Sequence, residues 1–91
     1  MDPEDAHGVL HEWIGVLAQT LTAGVVDVGG EIITDVTSSA GHEYHVVVKS
    51  KAGAPGKVMI TGQLSLIGHP NAPVLQDRVE YSIINAEGAG P

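Results

Sequence analysis

The spacing of apolar residues changes once along this chain, at Gly24, and that change limits the fold more than any other feature. Before it, Leu10, Ile14, Leu17 and Leu21 fall at i, i+4, i+7 and i+11, the single stripe of an amphipathic helix. Trp13 lies beside the stripe. Asp2 suits an N-cap, and Pro3 stands at the first helical position, where its missing N–H costs nothing. Glu4 and Asp5 complement the helix dipole in the first turn. Gly24 follows the last periodic residue as a C′ glycine. These signals predict a helix over residues 3–23. Gly8 and Gly15 lie inside it at about 1 kcal/mol each against alanine, and close approach to a sheet is the expected reason for them.

After Gly24 the period becomes two. Strands are expected over 25–37, 42–51, 57–67 and 75–85, separated by turns rich in glycine, proline and serine. Gly29 and Gly30 interrupt the first strand as a bulge or sharp bend. In the third, Val58, Ile60, Leu64 and Leu66 share one face while Lys57, Gln63 and Ser65 share the other. Connections this short join antiparallel neighbours, because a parallel crossover needs about a dozen residues. The expected fold is α+β, with the N-terminal helix packed on a four-stranded antiparallel β-meander, one domain over 1–91 and a flexible tail over 86–91.

A sheet carrying one helix leaves its second face to water, and that face should be polar. Here Ile33, Val47, Met59, Ile67 and Ile84 all fall on the parity opposite the core set. Five apolar residues on one face of a small sheet mark it as the expected contact surface.

Charge narrows the partners. The chain has 11 acidic and 4 basic residues, for a formal net charge of −7. Residues 1–48 contain no lysine or arginine; Lys49, Lys51, Lys57 and Arg78 all follow. So few cations argue against nucleic acid, whose phosphates need clustered lysine and arginine. No apolar run approaches the roughly 20 residues of a membrane span. The acidic start is unlike a secretory signal, which points to the cytoplasm or a virion particle. Without cysteine, disulfides and thiolate metal sites are excluded.

Catalytic signatures are missing. No Gly-x-Ser-x-Gly elbow occurs, and Gly53-Ala54-Pro55-Gly56-Lys57 lacks the frame of a phosphate loop and reads as a hairpin tip. Asp27, Glu31 and Asp35 share a parity that faces away from the helix, where they stay hydrated. His7 and His11, four apart, project from one helix face and form a weak metal-ligating pair, with Glu4 or Glu12 nearby and no third ligand apparent. Solvated histidines are the plainer reading. His42 and His45 point to opposite faces of a strand, and His69 belongs to a loop. No catalytic residue and no cofactor are expected.

The reading that fits these features is a non-catalytic structural or assembly protein. It would act through self-association or within a larger particle, in the style of small phage virion accessory proteins such as decoration, connector or tail components. The alternatives are an acidic inhibitor or regulator of a basic protein, and a small-ligand or metal-binding α+β domain.

Overall fold

The computed structural model describes residues 3–82, in the order α1 (Pro3–Thr22), β1 (Glu31–Thr37), β2 (Glu43–Ala52), β3 (Lys57–Leu66) and β4 (Leu75–Ser82). The strands form one antiparallel sheet in the order β1-β2-β3-β4, so the architecture is α+β with a β-meander, as the sequence predicts. The N-cap at Asp2, the contact residue Ile84 and the tail 86–91 lie outside the described residues.

The helix ends as its glycine requires. Gly24 adopts φ +76°, its N–H reaches the Leu21 carbonyl at 3.1 Å, and the Val25 N–H reaches the Thr20 carbonyl at 3.0 Å. These are the paired bonds of a Schellman cap. The chain does not enter a strand at once, contrary to the expected start of β1 at residue 25. Residues 25–30 form a loop that carries the chain from the helix end to the sheet. Gly29 has φ +103°, and a Cβ on Gly30 would meet the Val26 side chain. Ser50, the one buried polar residue among those described, secures this turn. Its Oγ accepts from the Gly29 N–H and donates to the Gly30 carbonyl.

The predicted stripe is the core. Leu10, Ile14 and Leu17 are fully buried, together with Tyr44, Val46, Val48, Ile60 and Leu64 from β2 and β3. The helix packs over β2, β3 and β4. It leaves the inner residues of β1, Ile32 and Val36, only half-buried.

The point of closest approach differs from expectation. No outside atom lies within 4 Å of where a Cβ would stand on Gly8 or Gly15. The glycine that admits the helix belongs to the sheet: a Cβ on Gly62 would stand 2.7 Å from Leu10 Cδ1 and 3.2 Å from Ile14. Gly62 is therefore a notch in β3 under two helix side chains. Substituting these glycines should give opposite signs. Gly62→Val overfills the core and should lower stability by about 1–3 kcal/mol. Gly8→Ala removes helix-interior flexibility at an open position and should raise it by about 0.5–1 kcal/mol. Urea midpoints for the two variants check both.

Candidate functional site

Three of the five histidines are hydrogen-bonded to aspartates, and the pairs occupy three separate places. On the open sheet face, His45 Nδ1 lies 2.6 Å from Asp35 Oδ1, both exposed. On the helix side, His42 Nδ1 lies 2.9 Å from Asp5 Oδ2 and His11 Nε2 lies 2.6 Å from Asp77 Oδ2. His42 and His45 thus face opposite ways, as strand alternation requires.

Asp5 is the most heavily bonded carboxylate. Its Oδ2 accepts from Ser38 Oγ at 2.7 Å and from Tyr44 Oη at 2.8 Å, besides its contact with His42. These bonds, Ser38's foremost and then those of His42 and Tyr44, hold the Asp5 carboxyl below its ordinary value. The cluster ties the first turn of α1 to the β1–β2 hairpin. It contains serine, histidine and aspartate but is not a nucleophile triad. Ser38 donates to the carboxylate itself, and the imidazole does the same from another side, so no base lies on the hydroxyl.

The second helix-side cluster adds what the sequence alone did not supply. His7 and His11 lie edge to face with ring centroids 5.5 Å apart. Asp77, on β4, joins them, and one donor atom from each residue lies within 4.8 Å of the others. The His11 contact, and after it the Arg78 backbone N–H, holds the Asp77 carboxyl below its ordinary value. Glu4 and Glu12, the expected neighbours of the histidine pair, are not members of this group. A legible signal did point to Asp77. It shares the parity of Val79 and Tyr81, and an acid on the helix-facing side of a strand needs a partner.

The open face is ordered in rows across the strands. One row is Ile33, Val47, Gln63 and Gln76; the next is Glu31, Lys49, Thr61 and Arg78; a third is Lys51, Met59 and Glu80. Of the four expected contact residues that are described, the structure brings only Ile33 and Val47 side by side. Ile33 is 58% exposed and Val47 half-buried. Met59 lies four residues along β3 from the partner of Val47, about 13 Å away. Ile67 is exposed just past the end of β3, its N–H bonded to the Glu43 carbonyl. Of the carboxylates expected to share the outer face, Glu31 and Asp35 do so, whereas Asp27 belongs to the loop before β1.

A stronger pattern on this face is electrostatic. Lys49, Lys51, Lys57 and Arg78, all the cations of the chain, project from it. Only Lys57 is paired, with Glu80 at 3.6 Å; Lys49, Lys51 and Arg78 form no salt bridge among the described residues. The helix layer and the strand faces beneath it carry Glu4, Asp5, Glu12 and Asp77 with no lysine or arginine. Among the described residues, no helix is long and apolar enough to cross a membrane.

Comparison of the chain with protein-family models, curated proteins and solved structures found no match.

The bonded aspartates fix the sign of the acid response. Asp5 and Asp77 titrate lower when folded than the ordinary value of 3.8 that they regain on unfolding. Their stabilisation is complete above that value and is lost as pH falls through their folded values. The urea midpoint should therefore fall steeply below about pH 4. Asp5→Asn should lower the midpoint at neutral pH and flatten the acid limb, read from urea unfolding at several pH values.

Proposed function

We propose that this chain is a structural assembly protein whose copies stack head to tail, the open sheet face of one against the acidic helix layer of the next. The observation that carries this reading is the separation of charge between the two faces of a two-layer domain. The open sheet face holds every cation, interleaved with Glu31, Asp35, Glu43 and Glu80, whereas the helix side holds only acids and histidines. An acidic layer meeting a face with three cations in no salt bridge can steer association and fix its direction.

The contact is of plausible size. Four strands spaced about 4.8 Å apart and about 30 Å long present roughly 600 Å² per partner. That places the pair near the lower limit of a standard interface, at about 1,200 Å² in total. Ile33, Val47 and Met59 supply apolar contact on one side, and half-buried Val9, Trp13 and Val16 on the other. Because the two surfaces differ, the contact is heterologous and repeats, giving a ring where the rotation closes and a filament where it does not. Such a chain builds or decorates a larger particle.

Charge reversal tests the direction of stacking. One variant carries Glu4→Lys and Glu12→Lys on the helix; the other carries Lys49→Glu and Arg78→Glu on the sheet. Each alone should be monomeric by light scattering at concentrations where wild type assembles. Mixed together they should assemble, since each reversed face then meets its opposite. Wild-type assembly should weaken in about 1 M salt, where the Debye length is about 3 Å. A wild type that stays monomeric at every ionic strength would overturn the proposal and favour a basic partner for the helix face.

A further inference from the structure

We infer that His7, His11 and Asp77 form a binding site for a divalent transition-metal ion. Three observations carry it. First, the donor set is two imidazoles and one carboxylate, which suits zinc and its first-row neighbours and is poor for magnesium or calcium. Second, the residues come from two elements that the fold fixes relative to each other. His7 and His11 are one turn apart on α1, and Asp77 is held on β4 opposite Gly62, the glycine notch on which the helix rests. Third, the donors already converge, lying within 4.8 Å of one another. A tetrahedral ion with bonds of about 2.0–2.1 Å needs its donors roughly 3.4 Å apart, so rotation of exposed imidazoles suffices.

The surroundings favour a cation. The helix that carries both histidines bears Glu4, Asp5 and Glu12 and no lysine or arginine. Arg78 follows Asp77 in sequence, but its side chain projects from the opposite face of the sheet. The Asp77 carboxylate bonds to His11 Nε2; an ion would take the place of the shared proton and bridge the two groups. His11 is 56% exposed at its side chain and Asp77 32%, which leaves room for water to complete the coordination shell. Because the ion would link α1 to an edge strand, its binding would stabilise the folded chain. None of this requires self-association.

Zinc titrations by calorimetry, on the full chain with and without excess magnesium, test the site. Wild type should bind one zinc ion per chain, magnesium should not compete, and zinc should raise the melting temperature. His7→Ala and Asp77→Asn should each weaken binding at least tenfold and remove the thermal shift. His69→Ala, altered in an exposed loop, should bind as wild type does. His7 is exposed, so its variant should keep the wild-type far-UV circular dichroism, which separates lost binding from lost folding. Absence of saturable zinc binding by wild type would overturn the inference. So would zinc affinity unchanged in both His7→Ala and Asp77→Asn.

Discussion

A helix about 10 Å across rests on a sheet about 19 Å wide, and the remaining features follow from that mismatch. The helix can seal the middle of one sheet face and nothing more. Its stripe of Leu10, Ile14 and Leu17 is fully buried over β2 and β3, while Ile32 and Val36 on β1 and Val79 and Tyr81 on β4 are only half covered. A core this narrow leaves the helix free to rock about its contact line unless something holds it at the sides. Polar groups do so. Asp5 ties its first turn to the hairpin through Ser38, His42 and Tyr44, and His11 ties its middle to Asp77 on β4. Ser50 fastens the loop that follows it. The histidine–aspartate pairs on the helix side are therefore placed where apolar packing runs out.

The same mismatch explains which parts of the structure were legible in the sequence. The helix, its C-terminal cap, the strand order and the face of each strand all depend on local periodicity and glycine placement, and these were correct. Residues 25–30 were misread because Val26 and Val28 continue the parity of Ile32 and Val36. A chain leaving a helix must nevertheless travel before it can pair, and no strand neighbour exists for those residues. The role of Gly62 was hidden for a related reason. Sequence showed a glycine in a strand, but the reason for it lies in Leu10 and Ile14, about fifty residues away. Asp77 and Tyr44 were not singled out. Strand alternation turns both toward the helix, yet which group each meets depends on how the helix lies across the sheet.

The sheet's edges bear on how copies could meet. Among the described residues, β1 and β4 both present open edges, the usual template for pairing with another chain. β1 is short, at seven residues, and carries Glu31 and Asp35, while β4 turns Asp77 inward beneath the helix. Short strands and charges directed this way discourage edge-to-edge pairing. The broad faces, one purely acidic and one carrying all the cations among acids, are left as the surfaces better suited to contact.

The notch at Gly62 also bears on how such a sequence can change over time. Leu10 and Ile14 lie directly above the missing Cβ, so three positions in two distant segments share one small volume. A larger residue at 62 becomes acceptable only once 10 or 14 has become smaller, and either order of events passes through a poorly packed intermediate. Drift at these three sites is therefore slow and correlated, whereas the glycines of α1, with open space beside them, can vary independently. Among diverged descendants of this chain, that trio would preserve the crossing point of helix and sheet after most of the surface had been rewritten.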